Sequence, residues 1–387
     1  MFPKMLGFLV EIFSGLFQKA GETVGEEVGK KVTEIHPSTK AKRVVCMLVC
    51  AVILLSVIAY FFYRGCRFQW SLENGVLTIE KGYLTSGDMP TYQFVEPHSS
   101  ENFDDDAYSL FVSSVPWFER RAEIEFVVLK DGITSISPAA FAGCSNLKEV
   151  HMPDGITTIG DYAFYDCVSL NNIAFSKSII HIGKHAFNNC RTLKQVHIDY
   201  DERNFDETGS IGEYAFYKCS NLQVIQLPDC ISSIGNYAFS RCSSLRDMYL
   251  SYGVVNIGEH AFELCNSLES AIIPNSVATI GQAAFLGCHK LKNVTIPARI
   301  TVLNWHTFAA CESLTNIVIP ERVTAITEAA FYNCFNLESV TIPDSVAVID
   351  HMSFGNCNKL TNVSVPQNAK IYNDAFPETT VITRRHE

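Results

Sequence analysis

Ile159-Gly160-Asp161-Tyr162-Ala163-Phe164-Tyr165-Asp166-Cys167-Val168-Ser169-Leu170 is one statement of a sentence that this chain repeats ten times. Phe, then Cys three residues on, then Leu three residues further recur as Phe141/Cys144/Leu147, Phe187/Cys190/Leu193, Phe216/Cys219/Leu222 and Phe239/Cys242/Leu245. The series continues at Phe262, Phe285, Phe308, Phe331 and Phe354, and an incomplete eleventh unit ends near Phe376. Successive Phe residues are 23 apart except for one step of 29, between Phe187 and Phe216. A fixed period of this length is the signature of a solenoid, in which each unit buries its apolar side only against its neighbours.

Outward from the Phe, each unit has the same parts. An apolar pair three residues apart, such as Ile156/Ile159 or Val277/Ile280, precedes a position occupied by Gly at 160, 183, 212, 235, 258 and 281. Where Gly is absent, Ser137, Asn304, Thr327 and Asp350 stand there, all residue types that start helices, and Pro138, Asp161, Glu213, Glu259 or Glu328 follows. The pattern predicts one helical turn before each Phe. After the Leu, runs such as Leu291-Lys292-Asn293-Val294-Thr295-Ile296-Pro297 alternate as a half-buried strand does, and Pro ends them. Stacked coil on coil, these strands predict a parallel sheet of about ten rungs, on the order of 45 to 50 Å long.

The Ile-Gly-x-x-Ala-Phe-x-x-Cys-x-x-Leu signature at Ile159 to Leu170 resembles that of the BspA-type, or treponemal-type, leucine-rich repeat, over roughly residues 131–376. The resemblance implies a right-handed leucine-rich solenoid of mixed α/β character, of a kind found mostly on microbial surface proteins that bind proteins or host cells. It implies no particular ligand.

Composition agrees with a row of shared apolar interior: 387 residues, 47% hydrophobic, with a formal charge of −11. Residues 1–43 hold seven Lys/Arg against five Glu, so the acidic excess lies in the remainder, which argues against nucleic acid as a partner. In that first segment Phe2, Met5, Leu6, Leu9, Phe13, Leu16 and Phe17 have helical spacing, read either as an interfacial helix or as a weakly ordered cytoplasmic tail. Residues 44–63 run for twenty positions without a charge, long enough to span a bilayer as an uncleaved signal anchor. Lys30, Lys31, Lys40, Lys42 and Arg43 before it, against Arg64, Arg67 and Lys81 after it, put the N-terminus in the cytoplasm and the repeats outside the cell.

Residues 64–130 precede the repeat. Trp70 to Ile79 places Asn74-Gly75 between two alternating runs, a β-hairpin, and with Trp117 it is read as a cap over the open solenoid end; Glu96 to Asp106 reads as an acidic loop. Residues 377–387 are expected as a tail. The ten repeat cysteines, one per coil, are expected as a buried ladder of free thiols, because parallel Cβ directions suit neither a disulfide nor a tetrahedral metal site. Catalytic motifs are missing: there is no Gly-x-Ser-x-Gly, His-Glu-x-x-His or phosphate-cradling Gly loop, so neither an enzyme nor a cofactor is expected.

Function is then sought where the repeats differ. The outward residue of each sheet strand is, in order, His151, Ala174, His197, Gln226, Tyr249, Ile272, Thr295, Val318, Thr341 and Ser364. Larger groups gather in the third to fifth units, where Lys194, Gln195 and His197, then Gln223 and Gln226, then Arg246, Asp247 and Tyr249 form adjacent rungs. Beside them Asp199 to Glu207, carrying Tyr200 and Phe205, is the single insertion, read either as a binding loop or as a tolerated solvated one. The expected partner is a protein or a glycan outside the cell; the alternative is a passive spacer that binds nothing in particular.

Overall fold

In the computed structural model, residues 52, 55–60, 68–82, 88–90, 115–198 and 208–385 are described. The chain divides into two units, Met1–Tyr63 and Arg64–Glu387. Within the first, Val52 and residues 55–60 are helical, and the remainder of the expected membrane segment 44–63 lies outside the described residues, as does the amphipathic segment 2–17. No helix among the described residues is long and apolar enough to cross a membrane.

The second unit is a parallel β-solenoid of about eleven turns. Each coil contributes a three-residue strand to one face, as in Asn172–Ala174, Gln195–His197, Val224–Gln226 and Asp247–Tyr249, with the middle residue buried and the last exposed. A two-residue strand, typified by Thr158–Ile159, His181–Ile182 and Asn256–Ile257, builds a second parallel face, with the Ile inward. The third side is the Phe turn. Its rings point into the interior and stack in one column, successive centroids 4.9–5.6 Å apart from Phe141 to Phe376. Ala, Thr307 or Ser353 before each ring is small and buried, which leaves the space that stacking at coil spacing requires.

The turn is where the expected helix gives way. No α-helix occurs among the described repeat residues, so the fold is a β-solenoid and not a mixed α/β one. Two residues before and two after each Phe adopt left-handed backbone, as at Tyr162 (φ 58°) and Asp166 (φ 58°) around Phe164. A helix needs right-handed dihedrals throughout, so these two positions interrupt it. They also redirect alternate amides: Ala163 and Tyr165 bond back within the turn to Gly160 and Tyr162, whereas Tyr162, Phe164 and Asp166 donate to Lys184, Ala186 and Asn188 of the next coil at 2.7–2.8 Å. Every N–H of the stretch is thereby satisfied without a helical ladder.

The Gly column likewise has a different cause from helix capping. A Cβ on Gly160 would lie 2.5 Å from the backbone N of Pro138, and one on Gly281 would lie 2.4 Å from that of Glu259. Glycine stands there because consecutive coils touch. Where it is replaced, Asn304 and Thr327 reach the preceding coil instead, donating to the carbonyls of Ile280 and Leu303 at 2.7 and 2.9 Å.

All ten repeat cysteines are buried and free. From Cys167 onward each Sγ–H donates to the carbonyl of the Phe in the preceding coil at 3.2–3.4 Å, so the thiols add a third cross-coil tie. Burial pushes the Cys144 and Cys288 thiols up to about 12, which keeps them protonated donors.

Both ends of the stack are closed. Gln69–Glu73 and Val76–Glu80 form the expected hairpin, with Asn74 and Gly75 at positive φ, and its second strand pairs in parallel with Phe126–Leu129. Trp117, buried, stacks 5.9 Å from Phe141 and donates its indole N–H to the Ala140 carbonyl at 2.8 Å, extending the ring column by one member. Trp70 meets it edge-on while remaining partly exposed. At the other end the residues expected as a tail supply a strand, Val381–Arg385, parallel to Asn362–Pro366. Arg384 and Arg385 fasten it by donating to the carbonyls of Gln367, Ala369 and Ile342, and Arg385 pairs with Asp344 at 2.6 Å.

Candidate binding surface

Strand alternation sends Val196, Ile225 and Met248 into the interior and their neighbours outward, and parallel pairing then aligns like positions of consecutive coils. His197, Gln226 and Tyr249 are consecutive partners in one column, and Gln195, Val224 and Asp247 in the next. Lys194, Gln223 and Arg246 form a third, because the Gln223 amide donates to the Lys194 carbonyl and the Arg246 amide to that of Gln223, at 2.7 and 2.9 Å. The structure therefore brings together the described residues that the sequence singled out: Lys194, His197, Gln226, Arg246, Asp247 and Tyr249 share one exposed face. Tyr200 and Phe205, with the rest of the insertion 199–207, lie outside the described residues.

The face is polar and cationic at Lys194 and Arg246, and its largest exposed ring is Tyr249, 58% accessible. Ile272 and Val318 continue the outward column at 69% and 64% accessible. Further along, Glu269 and Lys292 of adjacent coils pair at 3.1 Å, and the Lys292 hydrogen bond together with its charge holds the Glu269 carboxyl below its usual range.

A second ordered array, buried at Tyr162 and His185 and half-buried beyond them, lies on the Phe-turn side. Tyr162, His185, Tyr214, Tyr237 and His260, each two residues before the ring of its coil, stack face to face with centroids 4.5–4.8 Å apart and planes within 11°. Burial, and then the charge of Lys184, push His185 down to about 3. Its Nδ1 faces the Asn188 amide nitrogen at 2.7 Å, consistent with a neutral ring. Burial, and secondarily the neighbouring Tyr237, push Tyr214 up to about 12. Among the described residues, no group of three or more His, Cys, Asp or Glu side chains is arranged to hold a metal ion.

This stack is not evident in the sequence. The one signal available was the recurrence of Tyr or His two residues before Phe in five successive units, which Ala139, Ala283, Ala329 and Met352 in other units obscure.

Among solved structures, the chain is similar to a leucine-rich repeat protein from Eubacterium ventriosum, at 24% identity over 83% of this chain and 94% of that one, with a TM-score of 0.44. It is similar also to a leucine-rich repeat protein from Bacteroides ovatus, at 20% identity over 83% of this chain and 98% of the other, with a TM-score of 0.34. The pneumococcal vaccine antigen PcpA gives 16% identity over 83% and 92%, with a TM-score of 0.46. No curated protein matches the sequence. The family profile described as BspA type Leucine rich repeat region matches in six copies, over residues 116–208, 209–334 and 279–385. With that profile spanning the solenoid from Trp117 to the closing strand, the chain belongs to the BspA-type leucine-rich repeat family.

Proposed function

We propose that this chain is a surface-displayed recognition or adhesion protein that holds a protein or glycan partner against the sheet face formed by its third to fifth coils. The observation that carries the reading is the register of that face: Lys194, Arg246 and Tyr249, with His197, Gln226 and Asp247, lie on consecutive rungs of a rigid sheet. Arginine and tyrosine are the anchors that interfaces favour, and a rigid display lowers the ordering cost of binding. The solenoid acts as a scaffold for binding and not as a catalyst.

In this reading residues 44–63 are a single membrane-spanning anchor with the N-terminus in the cytoplasm and the repeats outside; support comes from the uncharged length and the Lys/Arg bias. The alternative, a passive spacer, draws on the small outward residues Thr295, Thr341 and Ser364 of the later coils.

Two measurements test the proposal. Replacing Tyr249 and Arg246 together by Ala should leave the circular dichroism spectrum intact while weakening capture of host or matrix proteins by about tenfold or more; unchanged capture favours the spacer. Protease treatment of intact cells should remove the repeats while sparing a small membrane fragment. Repeats protected until lysis would place the partners in the cytoplasm instead.

A further inference from the structure

The strand that covers the last coil, Val381–Arg385, leaves its own outer edge open. It pairs with Asn362–Pro366 on one side, and among the described residues no strand lies on the other. The Val381 amide donates to the Thr361 carbonyl at 2.8 Å. Successive residues of a strand turn their backbone groups to opposite sides, so Thr383 and Arg385 also address the inner neighbour, whereas the N–H and C=O of Ile382 and Arg384 face outward. Two donors and two acceptors thus stand in line along the edge.

Proteins ordinarily blunt such an edge with a proline, a bulge or a free charge. Val381–Arg385 has no proline, and its five residues pair with the inner strand in unbroken register. Both of its cations are committed to their own chain. The Arg384 guanidinium donates to the carbonyls of Gln367 and Ala369 at 2.7 and 3.0 Å, and that of Arg385 to the Ile342 carbonyl at 2.8 Å and to Asp344 at 2.6 Å. What the strand shows to solvent is apolar: Val381 is 60% and Ile382 41% accessible.

We infer that this edge is a homodimer interface, in which the Val381–Arg385 strands of two copies pair antiparallel about a two-fold axis at Thr383. The positions of the outward groups set the register. With Thr383 opposite Thr383, Ile382 of each copy meets Arg384 of the other, and four backbone hydrogen bonds use every outward group of both strands. A shift of one residue sets outward groups against groups already bonded to the inner strand, and a shift of two carries Ile382 or Arg384 past the end of the opposing strand. In the two-fold register Val381 lies beside Arg385 of the second copy and Ile382 beside the stem of Arg384, so no like charges stand opposite each other. From Gly355 onward the chain holds four Lys/Arg and three Asp/Glu, and the ends that meet therefore escape the self-repulsion expected of a chain of formal charge −11. The contact is independent of whether the sheet face binds anything.

The test is sedimentation velocity of the full chain in detergent at rising concentration, where a monomer–dimer equilibrium is expected. Ile382→Pro removes an outward N–H without touching the ladder to Asn362–Pro366, and Ile382→Lys keeps the amide but adds a charge beside Arg384. Each should weaken association by about tenfold or more with the circular dichroism spectrum unchanged. Opposite residues of a non-hydrogen-bonded pair stand about 4.5 Å apart at Cα, so Thr383→Cys should yield a disulfide-linked dimer under mild oxidation, above the level of the unchanged protein. Thr341→Cys, two strands inward, should not. A monomer at every concentration, association that survives both Ile382 changes, or equal cross-linking at 341 and 383 overturns the inference. Growth into polymers also overturns it, because a two-fold contact closes at two copies.

Discussion

Gly281 shows how little room separates one coil from the next. An Ala there would drive its Cβ to 2.4 Å from the Glu259 nitrogen and 2.5 Å from the Gly258 carbonyl carbon, both main-chain atoms that cannot step aside. Gly281→Ala is therefore expected to destabilise by about 1–3 kcal/mol, whereas the exposed neighbour change Gln282→Ala should stay within about 0.5 kcal/mol. Urea denaturation midpoints of the two variants measure the contrast. At His185 the effect is one of protonation. The unfolded imidazole titrates near 6.5 and the folded one is pushed down to about 3, so between those values the unfolded chain binds the additional proton. Stability from this residue is complete above about pH 6.5 and is lost as pH falls from there toward 3. His185→Gln should flatten the decline of the thermal midpoint between pH 6.5 and 4.5; identical slopes in both proteins would show that the ring does not titrate as described.

At the scale of the element, the coil is the unit that matters, since its hydrogen bonds, ring and thiol all connect to the coil on either side. Deleting residues 282–304 removes one 23-residue period and joins Gly281 to Trp305, whose neighbours repeat the lost pattern. That protein should fold, one rung shorter, with a slightly lower melting midpoint. Deleting residues 282–293 sets strand against turn and should yield an aggregated product. Light scattering and circular dichroism separate the two outcomes. The same modularity explains what the sequence could reveal. Phe, Cys, Leu and the strand alternation are side-chain choices repeated at fixed spacing, so the interior, the sheet and its outward column were legible from them. Backbone hand was not, because Tyr162, Lys218 and Arg241 are not residues that advertise left-handed φ, and Lys218 and Arg241 stand at the position that other coils fill with residues that do, such as Gly143, Asp166 and Asn189. Glycine with Asn and Thr replacements also fits a helix start as readily as a close contact.

On the scale of the whole molecule, the candidate sheet face occupies three coils, those of Phe187, Phe216 and Phe239. The coils beyond them, to Phe354, carry the same rings, thiols and ladders with plainer outward residues. Their contribution is length. Because the amides, thiols and stacked rings that join coils all lie along the solenoid axis, an extending force applied at the two ends acts on these ties one junction after another and never on all at once. The Gln69–Glu73 strand and the Val381–Arg385 strand are the points at which the stack has a neighbour on one side only. Under load the protein is thus expected to pay out from an end, each coil releasing 23 residues, or about 75 Å of slack, while the remainder stays wound. A partner gripping the middle coils would be held by a tether that lengthens in steps before it lets go.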